Sequence, residues 1–229
     1  AEDASGNGND GDINEGTDSE PTLTTDRFGN GNSAYSFDGS EDYIAMTEWS
    51  NFTIEELTFS GWVNIVSIDG ANYRPIIGDS NGIIELLHNN SHIYFKRHDF
   101  ADETTHIIPS ANTWHHILGT MSNIGASASN TIKLYIDGEL KDTATQTNSG
   151  LSESDETLFF GARVNFENFN GKMDDIRIYN IALTEAEIEE LYCEGDWCEQ
   201  QGLVAYYPFN GNAEDASGNG NDGDINEGT

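Results

Sequence analysis

The chain has 229 residues, 36% hydrophobic and 10% aromatic, with 24 Gly against 4 Pro, a balance that fits one large domain of strands joined by tight turns and excludes a collagen-like chain or a helix bundle. Nine Lys and Arg stand against 41 Asp and Glu, a net charge of -32 that repels nucleic-acid phosphates and anionic lipid while attracting divalent cations. No apolar run approaches the roughly 18 residues of a membrane span.

In chain order, alternating apolar patterns bounded by turn residues predict strands at 33–38, 42–46, 59–65, 83–87, 92–96, 114–121, 131–136, 157–164 and 172–179. Asp137-Gly138, with Leu140 resuming the alternation, reads as a hairpin turn, because glycine tolerates the positive φ such a turn needs. One helix is expected near the end: Thr184 and Glu187 form a capping box, and Ile188, Leu191 and Tyr192 then share a face. Beyond it, Cys193 and Cys198 have four residues between them, a spacing that suits a local disulfide in an oxidising compartment; two free thiols is the other reading.

Residues 1–17 and 213–229 carry the same seventeen letters, AEDASGNGNDGDINEGT, so the sequence repeats with a period of 213 − 1 = 212. Such a period predicts tandem modules, with an engineered duplication as the alternative. The strong strand at 202–210, Gly-Leu-Val-Ala-Tyr-Tyr-Pro-Phe-Asn, runs into the second copy and therefore opens a module. Three segments follow: 1–17 as the first-strand and loop segment, 18–201 as the body, and 202–229 as the first strand and loop of the next repeat. The two copies are expected at equivalent sites in successive modules, with the opening strand supplied either within the chain or by a neighbour.

Taken in the order of one module, the run 202–223 resembles the opening of the laminin-G-like family of concanavalin A-like folds. Ser36-Phe37-Asp38-Gly39 with Tyr43-Ile44, Phe59-Ser60-Gly61-Trp62-Val63, Trp114-His115-His116, Leu134-Tyr135-Ile136-Asp137-Gly138, Gly161, the run 171–180 and the run 183–192 look like further family signatures in family order. The resemblance implies an all-β fold, a two-sheet antiparallel jelly-roll sandwich with one short C-terminal helix. Family members mostly serve adhesion, matrix building or glycan recognition, and many hold a structural Ca2+. Carried over, the ligands would be Asp3, Asn7 and Asn9, or Asp215, Asn219 and Asn221 in the second copy, with Asp174 and the adjacent Asp175 from a late strand. Calcium takes six to eight oxygens, and such a set would staple the first loop to the last strand.

Other motifs carry less. Asp10-Gly-Asp-Ile-Asn-Glu opens like an EF-hand loop, but Glu15 stands where glycine is needed and Pro21 where the bidentate glutamate belongs. Glu194-Gly-Asp-Trp-Cys-Glu has the Glu-x-Asp-x-x-Glu spacing of related glucanases, yet it follows a helix and contains glycine, whereas retaining chemistry needs two carboxyls about 5 Å apart on a rigid strand. The six histidines are scattered, and no pair has helical zinc spacing. Asn51-Phe-Thr and Asn89-Asn-Ser are glycosylation sequons, which matter only in a pathway that reads them. Tyr73, Phe100, Phe166 and Phe169 are candidates for sugar stacking, local packing or contacts between modules. The expectation is a non-enzymatic structural module of a secreted or microbial surface protein, self-associating with identical modules into a filament or tube; the alternative is a calcium-dependent glycan-binding adhesin.

Overall fold

The computed structural model describes residues 1–13, 18–47, 55–66, 73–80, 84–89, 92–97, 103–124, 129–146, 157–163 and 168–194. By its contacts the chain divides into two compact units, Ala1–Thr184 and Glu185–Thr229.

The first unit is the two-sheet antiparallel jelly-roll sandwich that the family resemblance implies. Its strands are β1 (Thr22–Thr24), β2 (Ala34–Asp38), β3 (Ile44–Met46), β4 (Leu57–Ile65), β5 (Arg74–Asp79), β6 (Ile84–Asn89), β7 (His92–Arg97), β8 (Thr104–Ile107), β9 (Trp114–Ser122), β10 (Asn130–Ile136), β11 (Glu139–Gln146), β12 (Leu158–Phe160) and β13 (Asn170–Tyr179). They form a seven-stranded sheet in the order β1-β2-β13-β4-β9-β10-β11 and a six-stranded sheet in the order β3-β12-β5-β6-β7-β8, antiparallel throughout. Beyond the expected strands the structure adds β1, β5 and β8, and the Asp137-Gly138 hairpin is present, joining β10 to β11 with both turn residues at positive φ (53° and 76°).

Period-two alternation places the core between the sheets. From β4 come Leu57, Phe59, Val63 and Ile65; from β6, Ile84 and Leu86; from β7, Ile93 and Phe95; from β9, Ile117 and Met121. Phe59 of one layer meets Phe95 of the other edge-on at 6.2 Å, and Phe37 of β2 meets Phe169, which directly precedes β13, at 5.8 Å. Each fully buried large apolar side chain contributes about 1.5–3 kcal/mol of transfer free energy.

Two glycines fix the outline. The strand expected over 157–164 ends early, at Phe160, because Gly161 turns the chain at φ 86° and lies so close to Phe37 that a Cβ would stand 2.6 Å from its Cδ1. Gly61 faces a bulge in β13 between Asp174 and Arg177, and there Ile176 fills the space a side chain would need. The bulge carries Asp175 at φ 46°.

At one end of the sandwich the edge strands β8 and β11 approach each other, with the Thr105 amide donating to the Asp142 carboxylate at 2.8 Å. At the other end both edges are three residues long, β1 and β3. The first thirteen residues dock on β3: Asp12 and Ala45 exchange backbone hydrogen bonds at 2.8 and 2.9 Å, and Gly11 pairs with Ala1.

In the second unit the described element is the helix α1 (Glu185–Tyr192), which opens with Glu185 and Glu187 in its first turn and buries Ile188 completely. Acidic residues there complement the positive end of the helix dipole. Cys193 follows, its amide donating to the Glu189 carbonyl at 3.0 Å.

Candidate functional site

Three groups of polar side chains have chemistry to offer. The first is the loop that holds Asp3, Asn7 and Asn9. The Asp3 carboxylate accepts the amides of Ser5 (2.8 Å) and Asn9 (2.9 Å), and its own amide donates to Asp10 at 2.8 Å. Asn7 donates from Nδ2 to the Ser5 hydroxyl at 2.9 Å. Gly6 and Gly8, both near φ 80°, let the chain wrap around that carboxylate. The Ser5 side chain, followed by the backbone donors of Asn9 and Ser5, holds the Asp3 pKa at about 2. The loop is thus an anionic turn, organised by its own amides.

The second group lies on the outer face of the seven-stranded sheet, where Trp62 of β4 stands opposite His116 of β9 and Asp174 of β13. Arg27 reaches over them. Its guanidinium bonds Asp174 at 2.7 Å and Asp175 at 2.8 Å, and it lies 4.8 Å above the Trp62 ring and 4.4 Å from the Phe28 ring. Only 3% of the Arg27 side chain is exposed. Burial, with the neighbouring Asp175 charge, pushes the Asp174 pKa up, and Arg27 opposes that shift. Behind Trp62, at 5.4 Å, His116 shares a 2.8 Å hydrogen bond with Ser60.

Arg27 sits in a turn whose pattern repeats that of the first loop: Asp26-Arg-Phe-Gly-Asn-Gly-Asn32 matches Asp3-Ala-Ser-Gly-Asn-Gly-Asn9. The Asp26 carboxylate likewise accepts two amides, from Phe28 (2.9 Å) and Asn30 (2.8 Å). This internal echo was the available signal for Arg27, since it marks a second loop of the same build with a cation at its second position.

The structure therefore brings Asp174 and Asp175 together around a guanidinium, while Asp3, Asn7 and Asn9 belong to a loop docked on the other sheet. Among the described residues no group of three or more His, Cys, Asp or Glu side chains is arranged to hold a metal. The loop oxygens suit a hard cation in kind; the late-strand carboxylates already have a counter-ion in the Arg27 guanidinium. Asp215, Asn219, Asn221 and Cys198 lie outside the described residues, as do Phe100 and Phe166. Phe169 is wholly buried in the core and presents no sugar platform. Glu194 follows the helix and is not on a strand.

The third group covers the outer face of the six-stranded sheet. Glu85 alternates with core residues Ile84 and Leu86, Lys96 alternates with Phe95, and the two face each other across β6 and β7. Arg163, reaching across Gly78, forms an ion pair with the wholly buried Glu85. Lys96 Nζ stands 3.9 Å from Glu85 and 3.8 Å from Glu103, and 4.9 Å above the Tyr73 ring. Tyr73 meets Tyr94 at 5.3 Å and 69°, with His92 6.2 Å beyond. Two tyrosines, an ammonium and a carboxylate, all partly exposed, thus share one surface. Sequence reading picked out Tyr73 alone, because the others are ordinary strand residues until the register aligns them.

Comparison with known proteins agrees with this architecture. The Laminin_G_3 family, described as the concanavalin A-like lectin/glucanases superfamily, matches residues 38–189, and the chain belongs to it. Among solved structures, the botulinum neurotoxin serotype D binding domain superposes with a TM-score of 0.63 at 21% identity, covering 90% of this chain and 49% of that one. The serotype D ligand-binding domain in complex with N-acetylneuraminic acid gives 0.62 at 22%, covering 89% and 48%. The binding domain of Paraclostridial Mosquitocidal Protein 1 gives 0.63 at 17%, covering 83% and 48%. The chain thus spans about half the length of these structures, and at such identities the likeness is one of fold. No curated protein matches the sequence. Among the described residues no helix is long and apolar enough to cross a membrane.

Proposed function

We propose that the chain is a non-catalytic module of a secreted or surface-displayed, microbial tandem-repeat protein, joined to identical modules in a filament or tube and stabilised by calcium. The observation that carries this reading is the identity of residues 1–17 with 213–229. The first copy pairs with Ala45 at the edge of β3, and a second copy with the same donors and acceptors would find an equivalent edge in the following module. The opening strand 202–210 would then bridge each joint. Asp3, Asn7 and Asn9 are the oxygens offered to calcium. The Arg27 pairing weighs against Asp174 and Asp175 joining them. Electron micrographs of the native protein should show fibres that fall apart in EDTA; isolated beads in both conditions would remove the polymer reading.

A bond between Cys193 and Cys198 belongs to the same proposal. In support, no cysteine among the described residues is free. Thiol titration of the denatured, unreduced protein is expected to find none, and two reactive thiols would end this part of the reading.

The outer face of the six-stranded sheet favours a second reading, a glycan-binding adhesin. Aromatic rings beside polar side chains are what a sugar site needs, and one structural neighbour was solved with N-acetylneuraminic acid.

A further inference from the structure

We propose that the corner formed by Tyr73, Tyr94, Lys96 and Glu103 on the outer face of the six-stranded sheet binds an uncharged sugar residue of a polysaccharide. This rests on the glycan-binding reading above and names its site and ligand class.

The corner is set by register. Tyr94 and Lys96 point outward because Ile93 and Phe95 between them point into the core, and Tyr94 stands opposite Leu87 and Thr105. Leu87 beside it is wholly buried, so Tyr94 has an ordered apolar neighbour on the same face. Tyr73 stands nearly upright against Tyr94, giving two ring surfaces at 69°. Rings so arranged present flat apolar area to the C–H face of a pyranose, and a hydrogen bond between the two side chains holds Tyr73 against Tyr94.

Polar recognition comes from Lys96. Its ammonium is about 3.8–3.9 Å from both Glu85 and Glu103, beyond hydrogen-bond reach of either. A sugar hydroxyl between Lys96 and Glu103 would accept from the first and donate to the second, making two charge-assisted bonds with one group. Packing of the Lys96 ammonium over Tyr73 holds it in place for this.

Charge decides between sugar classes. The described side chains of this face carry two cations, Lys96 and Arg163, and two carboxylates, Glu85 and Glu103, so no cation is in surplus for a sugar acid. The chain as a whole bears -32 and repels anions at range. A neutral hexose polymer meets no such penalty, whereas a sialylated or uronic glycan does.

The test uses the whole 229-residue chain in isothermal titration with neutral gluco-, manno- and galacto-oligosaccharides and with sialyllactose. At least one neutral oligosaccharide should bind and sialyllactose should not. Tyr94→Ala should weaken that binding about tenfold and Lys96→Gln several-fold, with Tyr94→Phe close to the parent, all at unchanged urea midpoint. Preference for sialyllactose, or neutral binding indifferent to Tyr94→Ala and Lys96→Gln, would overturn this assignment and leave the adhesin reading standing. Binding of none of the probes would overturn both.

Discussion

Arg27→Ala is expected to lower the unfolding free energy by about 3–5 kcal/mol at neutral pH, measured by urea denaturation. The guanidinium is the counter-charge that opposes the upward pKa shift of Asp174, whose side chain is 8% exposed, and it also lies against both the Phe28 and Trp62 rings. Its removal leaves a buried carboxylate facing Asp175 and Asp26. In the variant the Asp174 pKa rises further above its unfolded value. The destabilisation is therefore full at high pH and shrinks as pH falls through the folded pKa, where the carboxyl takes a proton. Arg27→Lys keeps the charge but loses the fork and most of the stacking, and should fall between. Adding Asp174→Asn to Arg27→Ala should recover part of the loss. A double variant no more stable than the single one would show that ring packing, and not charge, makes Arg27 important.

The second large effect is acid lability between pH 6.5 and 4. His88 and His116 are nearly wholly buried, and burial is the main reason their pKa values drop to about 4 from 6.5. Arg74 adds to the shift at His88. At His116, Asp137 and Asp175 oppose it while Arg27 and Arg177 reinforce it. A histidine with a depressed folded pKa binds its proton in the unfolded chain first. Its penalty is absent above pH 6.5, grows as pH falls from 6.5 to 4, and is constant below. A shift of this size corresponds to roughly 3 kcal/mol per ring. His88 has no hydrogen-bond partner on either ring nitrogen among the described residues and lies edge-on to Phe169 at 5.7 Å, so His88→Leu should remove its share without creating an unpaired group. Urea midpoints at pH 7.5 and 4.5 would measure this. An equal fall in the parent and in His88→Leu would mean that the native ring accepts its proton as readily as the unfolded one.

Fold class was legible because most strands keep strict alternation. Where the alternation breaks, sequence reading missed the strand. In β5, Arg-Pro-Ile-Ile-Gly-Asp, a bulge between Pro75 and Ile77 buries two adjacent isoleucines, so no two-residue period exists to be seen. Strand β8 reads Thr-Thr-His-Ile, an edge strand with Ile107 more than half exposed, and β1 is three residues with Leu23 in the open. Site residues were legible by type and less so by partner. The carboxylates Asp174 and Asp175 were singled out as calcium ligands, and the cation the structure places beside them is Arg27, 147 residues away from Asp174 in sequence and brought there by the fold. Likewise Glu85, Lys96 and Arg163 gain meaning only from cross-strand register, which single-sequence patterns do not supply.

The sandwich ends where its strands are shortest or mutually covered. At one end β1 and β3 offer three residues each, with residues 1–13 laid along β3; at the other, β8 and β11 meet. A chain held beside many copies of itself runs a standing risk of amyloid-like stacking, in which open strand borders zip together indiscriminately. Stubby, occupied borders and a net charge of -32 leave little open strand for such stacking to use.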